Sequence, residues 1–136
     1  MKFYALRAYA LAGDEAFWVC AWDPWRAILA NNLSTWEEDD VRQRSDCHAW
    51  GSVPVYEYCA ELAGIRPIAP GSTKVLFKPR VRLSEAVEAK VALGRENLAT
   101  VSWSTRAGGE KHIELRLEKA VQVTSQLPVG GRTRRS

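Results

Sequence analysis

The sequence predicts an α+β protein, with helices in its first half and an antiparallel β-sandwich-like sheet in its second. Apolar residues recur at spacings of three and four in the first half and at a spacing of two in the second half. A Pro- and Gly-containing segment separates the two patterns. We therefore predict a helical domain over residues 1–66, a linker over 67–72, a β-sandwich domain over 73–127 and a flexible basic tail over 128–136.

Three helices are predicted in the first 30 residues, each with a recognisable boundary. The first covers residues 2–12 and ends at Gly13, because glycine accepts the left-handed conformation that terminates helices. Asp14 is placed to cap the second helix. Asp23 and Pro24 are placed as the N-cap and the first residue of the third.

A fourth helix is predicted over residues 52–63, after a polar loop over residues 31–45. Its apolar residues recur at i, i+4 and i+7, and Gly64 follows its end. They are Val55, Cys59 and Leu62. A loop of this length inside a compact domain usually carries function.

About five strands are predicted from residue 73 onwards, with polar residues at alternate positions. Turns at Gly94–Asn97 and at Gly108-Gly109 connect the second strand to the third and the third to the fourth. One parity of each strand is apolar and is expected to face the core. These residues are Val75, Phe77, Val91, Val101, Trp103, Leu115 and Leu117.

Composition and charge exclude several classes of function. The net charge is +3, and Arg132, Arg134 and Arg135 in the tail account for it, so a nucleic-acid partner is not expected. No segment has the 18 or so apolar residues of a membrane span. The three cysteines, Cys20, Cys47 and Cys59, lack a C-x-x-C spacing. We therefore expect no metal, no cofactor and a cytoplasmic location.

Residues 34–50 have the composition of a binding site, with carboxylates, a histidine and two tryptophans but almost no aliphatic side chain. Tryptophan rings can stack on a sugar, and the polar groups can bond hydroxyls or move protons. The candidates are Trp36, Glu37, Glu38, Arg44, Asp46, His48 and Trp50. Simpler roles compete: the acidic run can be a solvated loop, Asp46 a helix cap, Arg44 an ion-pair partner and His48 a structural residue.

The order of several motifs resembles that of a known family. Ser34-Thr35-Trp36-Glu37-Glu38 is followed by the longer and more specific element Arg44-Ser45-Asp46-Cys47-His48-Ala49-Trp50, and then by Gly64-Ile65-Arg66-Pro67. This run resembles the bacterial and fungal α-L-rhamnosidases, which are inverting glycoside hydrolases with a six-hairpin α/α barrel and a C-terminal β-sandwich. The resemblance covers about residues 1–127. Since those enzymes are several times longer, it implies a C-terminal fragment that holds the last three to four helices of the barrel.

The resemblance also implies roles for the residues that match. It places the general base on Glu38, with Glu37 as the fallback, and it assigns rhamnose binding to His48 and Trp50. Trp36, Arg44 and Asp46 are further candidate contacts by their residue types. The family's general acid belongs to an upstream element that this sequence does not show. We therefore expect a fragment that is not active alone and whose partners are rhamnose-containing glycosides.

An incomplete barrel is expected to expose apolar side chains of its helices. The expected patch contains Phe3, Phe17, Trp18, Trp22, Ile28 and Leu29. Such a patch would promote self-association or association with the rest of a barrel.

Two other functions remain open from the sequence. One is a carbohydrate-binding or accessory module without catalysis. The other is a six-hairpin glycosidase that acts on a different sugar.

Overall fold

The computed structural model describes residues 2–38, 42, 45 and 47–127, without the side chains of residues 2 and 3. It confirms the α+β class. The chain divides into two compact units, of which the first ends at Glu57 and the second begins at Tyr58.

The first unit is helical. Its helices are α1 (Lys2–Ala12), α2 (Glu15–Cys20), α3 (Asp23–Ala30) and α4 (Val53–Glu57), with a 3₁₀ turn over Ala49–Ser52 immediately before α4. Gly13 ends α1 with a φ of 74°. The Asp14 carboxylate accepts a hydrogen bond of 3.1 Å from the backbone N–H of Phe17, so the predicted cap of α2 is confirmed.

The predicted cap of α3 is wrong by one residue. Trp22 is the N-cap and makes no side-chain capping bond, while Asp23 lies in the first turn and pairs with Arg26. The carboxylate thus bonds a guanidinium on its own helix, three residues along. The backbone N–H groups of Trp25 and Arg26 donate to the Trp22 carbonyl oxygen.

A buried ion pair joins α1 to α4. Arg7 Nη1 lies 2.9 Å from Glu57 Oε1 and 3.1 Å from Oε2, and the Glu57 side chain has no exposed surface. The Arg7 guanidinium also lies 5.4 Å from the centre of the Tyr56 ring. Beside this pair, the buried apolar residues of the helices are Leu6, Ala10, Trp18, Ile28 and Pro54.

The expected apolar patch is correct only in part. Phe17 and Leu29 are exposed, but Trp18 and Ile28 are buried and Trp22 is half-buried. Trp18 packs edge-on against Trp22 with 5.1 Å between ring centres, so these aromatic rings cover one another. The side chain of Phe3 lies outside the described part of the chain.

The second unit begins with a π-helical turn over Tyr58–Leu62 and continues as two three-stranded sheets. The strands are β1 (Ile65–Pro67), β2 (Lys74–Phe77), β3 (Ala86–Ala92), β4 (Leu98–Thr105), β5 (Lys111–Leu117) and β6 (Gln122–Ser125). Five of them match the predicted strands. The helix predicted over 52–63 is instead α4 followed by the π-helical turn.

Two features of the sheets differ from the all-antiparallel prediction. β3, β4 and β5 form an antiparallel sheet, but the other sheet has the order β1-β2-β6 and its β2 and β6 are parallel. β6 follows a strand of the opposite sheet and returns beside β2, so its direction is set by this crossover and not by a hairpin. The second difference is β1, a strand that was not predicted. It has only three residues, too few to show an alternating pattern.

The core of the second unit takes side chains from both sheets. Its fully or largely buried members include Val75, Phe77, Val101 and Trp103, and Val91, Leu115 and Leu117 pack against them. These are the side chains predicted to face inward, so the strand register is confirmed. Gly64 allows the chain to pass close to the strand end, because a Cβ there would lie 2.3 Å from the Lys78 carbonyl oxygen.

Candidate carbohydrate-binding site

Two segments of the candidate site, one with Trp36 and Glu38 and the other with His48, lie side by side in the first unit. The backbone N–H of His48 donates to the carbonyl oxygen of Trp36 at 2.7 Å, and the N–H of Glu38 donates to that of Ser45 at 2.8 Å. The segment 36–38 therefore lies next to Ser45 and His48. This pairing brings the acidic motif and the His-Ala-Trp motif together, as a shared site requires.

Glu38 and His48 face each other across this pairing. His48 Nδ1 lies 3.9 Å from Glu38 Oε2, and the two side chains are 35% and 26% exposed respectively. This separation is longer than a direct hydrogen bond, and both side chains remain reachable by a ligand. The geometry is that of a partly exposed polar pair, whose groups are of the kind that bond hydroxyls.

Glu37 differs from its neighbour in environment. It is 8% exposed, whereas the Glu38 side chain is 26% exposed. The carboxylate that is accessible and faces the histidine is thus Glu38. A group that activates water has to be reached by that water, so the geometry favours Glu38 over Glu37 for such work.

Both candidate tryptophans have exposed side chains. Trp50, in the 3₁₀ turn, is 70% exposed and Trp36 is 36% exposed. Large apolar rings on a surface are the usual platforms for sugar stacking. Arg44 and Asp46, the other two predicted contacts, lie outside the described residues.

Gly51, which was not among the predicted site residues, is held in place by Trp25. The Trp25 indole N–H donates to the Gly51 carbonyl oxygen at 2.7 Å, which ties α3 to the 3₁₀ turn. A Cβ on Gly51 would lie 2.7 Å from Trp36 Cβ and 3.1 Å from the Glu37 carbonyl oxygen. One feature of the sequence could have pointed to Gly51: it directly follows Trp50, at the start of a helix.

Within the described ranges, no three His, Cys, Asp or Glu side chains are grouped to hold a metal ion. No helix of the described residues is both long and apolar enough to cross a membrane. The cysteines in this part of the chain are free thiols.

Neither a protein-family model nor a curated protein matches the chain. Among solved structures, the chain is similar to the crystal structure of the GH78 family rhamnosidase of Bacillus sp. GL1, with a TM-score of 0.81 and 22% sequence identity. The match covers 95% of this chain and 15% of that chain. The chain therefore has the fold of a segment of a rhamnosidase.

Proposed function

We propose that the chain is part of a glycoside hydrolase that removes terminal α-L-rhamnose with inversion, and that it supplies the general-base side of the active site. The observation that carries the proposal is the accessible Glu38 carboxylate facing His48, 3.9 Å away. The order of the motifs around it and the similarity to a segment of a rhamnosidase support the same assignment.

The proposed mechanism divides the work between two carboxylates. In inverting hydrolysis, a base deprotonates the attacking water while an acid protonates the leaving oxygen, and the two lie about 6.5 to 9.5 Å apart. Glu38 is the base, and His48 orients its carboxylate or bonds a sugar hydroxyl. Trp36 and Trp50 provide stacking faces, and Arg44 and Asp46 add polar contacts.

The general acid comes from elsewhere in the proposed enzyme. This chain spans about 15% of the rhamnosidase to which it is similar. General acid catalysis is worth roughly 10² to 10⁴ in rate. We therefore propose that the 136-residue chain binds rhamnose but hydrolyses rhamnosides at no more than a trace rate.

The test measures binding and turnover separately. L-Rhamnose is titrated into the chain while the indole N–H signals of Trp36 and Trp50 are followed by NMR, and hydrolysis of an aryl α-L-rhamnoside is assayed in parallel. Shifts of both signals with trace hydrolysis are expected, and Glu38→Gln should abolish the trace. Glu118→Gln, the same change at an exposed glutamate of the second unit, is the control.

Two outcomes would contradict this proposal in different ways. Robust turnover that survives every carboxylate substitution in residues 34–46 would remove Glu38 from the mechanism. If rhamnose shifted neither indole signal of a folded chain, rhamnose would be excluded as its ligand.

A binding module without catalysis is the second candidate, and the exposed Trp50 ring favours it. It predicts rhamnose binding with no hydrolysis in any longer protein that contains the segment. Titration with other hexoses and pentoses distinguishes a different six-hairpin glycosidase.

A cytoplasmic location is also proposed, since free thiols suit a reducing compartment.

A further inference from the structure

We infer that Gly51 and Trp25 are positioning residues, which hold the segment 36–38 against the 3₁₀ turn and so set the distance between Glu38 and His48. The inference rests on the proposed function for its consequence in catalysis. Its structural content can be tested without any sugar.

The first observation is steric. The Gly51 backbone lies so close to the loop that an added Cβ would meet Trp36 Cβ at 2.7 Å and the Glu37 carbonyl oxygen at 3.1 Å. Both are atoms fixed to the backbone, so no rotation of a flexible side chain can relieve the contact. The segment that carries Glu38 would have to move away from the turn.

The second observation is a hydrogen bond from the opposite side. The Trp25 indole donates to the Gly51 carbonyl oxygen at 2.7 Å, and both groups are half-buried. Gly51 N–H in turn donates to the His48 carbonyl oxygen at 2.9 Å. Gly51 is thus fixed by helix α3 on one side and connected to His48 on the other.

Together these contacts place both members of the polar pair relative to one residue. Glu38 follows directly on the two residues that press against Gly51, and His48 is bonded to Gly51 through its backbone. A shift at Gly51 therefore changes the separation of the carboxylate and the imidazole. Groups that move protons depend on such placement within fractions of an ångström.

The test uses the full chain and the ¹⁵N chemical shift of His48 Nδ1. In the wild-type background, Glu38→Gln should change this shift, because the atom that faces Nδ1 is replaced. In the Gly51→Ala background, the same substitution should change it little, because the two groups have separated. If Gly51→Ala only lowered the stability, Glu38→Gln would still change the His48 Nδ1 shift of the molecules that remain folded. This change is the response to Glu38→Gln.

Trp25→Phe keeps an aromatic side chain of smaller size and removes the indole N–H donor, so it serves if Gly51→Ala does not fold. Exchange of the His48 amide hydrogen should then become faster, on the order of fivefold, as expected for the loss of one hydrogen bond. The matched control is Trp22→Phe. The Trp22 indole nitrogen is buried and has no hydrogen-bond partner among the described residues, so exchange at His48 should not change.

A rescue variant adds a further check. Trp36→Gly removes the atom that a Cβ on Gly51 would meet at 2.7 Å, so the double variant Gly51→Ala/Trp36→Gly should regain part of the response to Glu38→Gln. An unchanged response in Gly51→Ala, or equal effects of Trp25→Phe and Trp22→Phe, would overturn the inference. A missing response in the wild-type background would overturn it as well. Failure to bind rhamnose while the response is present would contradict the proposed function alone.

Discussion

Arg7 and Glu57, 50 residues apart in the sequence, form an ion pair in which one guanidinium nitrogen contacts both carboxylate oxygens. The Glu57 side chain has no exposed surface and that of Arg7 is 18% exposed. A carboxylate buried in this way depends on its partner, because the protein interior solvates a charge poorly.

We therefore predict that Arg7→Ala destabilises the chain by about 3 to 5 kcal/mol, since it leaves a buried carboxylate without this guanidinium. The free energy of unfolding is measured by denaturant titration at neutral pH. Arg26→Ala is the control, because Arg26 and its partner Asp23 are both largely exposed and such pairs contribute about 0 to 1 kcal/mol. Equal losses for the two variants would show that the buried Arg7 pair contributes no more to stability than an exposed pair.

A second prediction compares two glycines that have the same backbone conformation. Gly13 has a φ of 74° and Gly64 a φ of 76°, but a Cβ would meet nothing within 4 Å at Gly13 and would lie 2.3 Å from backbone atoms of Lys78 at Gly64. Gly13→Ala should cost about 1 to 2 kcal/mol, the strain of a left-handed residue with a side chain.

Gly64→Ala should cost clearly more than Gly13→Ala, because it adds a collision with the backbone to the same strain. Since the collision lies in the second unit, the loss should appear in hydrogen exchange of the strands. Similar losses for the two variants would mean that the chain near Lys78 relaxes to admit the methyl group.

The sequence predicted those parts of the fold that local chemistry determines. Gly13 and Asp14 delimit two helices through a left-handed φ and a capping bond, and the alternation in β4 and β5 identifies which side chains face the core. Each of these signals lies within a few residues of the element that it specifies. They were therefore readable without knowing any tertiary contact.

Features that depend on distant partners could not be predicted in the same way. Glu57 and Glu61 occupy positions that look solvated in the sequence, yet both are buried because arginines far along the chain reach them. The parallel pairing of β2 and β6 depends on a crossover between sheets. In the candidate site, Gly51 has no signature apart from its neighbour Trp50.

A third prediction concerns the cysteines. Burial raises the pKa of the Cys59 thiol above its ordinary value, whereas Cys20 and Cys47 are exposed. Because the thiolate is the reactive form, Cys59 should react more slowly with an aromatic disulfide reagent than either of the others at neutral pH. Its rate should continue to rise above the pH at which the rate of an exposed thiol peptide has levelled off, because its pKa is raised.

Variants that retain one cysteine each make this measurement unambiguous. The other two cysteines are replaced by serine, and the reaction is followed by absorbance between pH 7 and pH 10 with an exposed thiol peptide as reference. If Cys59 reacted as fast as Cys20, the local burial inferred for the π-helical turn would be wrong.

The last prediction is self-association through the helical unit. Tyr4, Leu11, Phe17 and Leu29 are 58 to 76% exposed on α1, α2 and α3, which is unusual for so many large apolar side chains in one small unit. Burying them between two copies would remove apolar surface from water, at about 25 cal/mol per Å². Sedimentation of the purified chain should therefore show association that increases with concentration.

The variant Phe17→Ser/Leu29→Ser should sediment as a monomer at concentrations where the original chain associates, because both side chains are exposed and their loss does not open the core. Val55→Ser/Ile68→Ser removes two exposed apolar side chains from outside those three helices and is the matched control. A chain that is monomeric at every concentration, or a control that dissociates as readily, would mean that the exposed faces of α1–α3 do not bind a second copy.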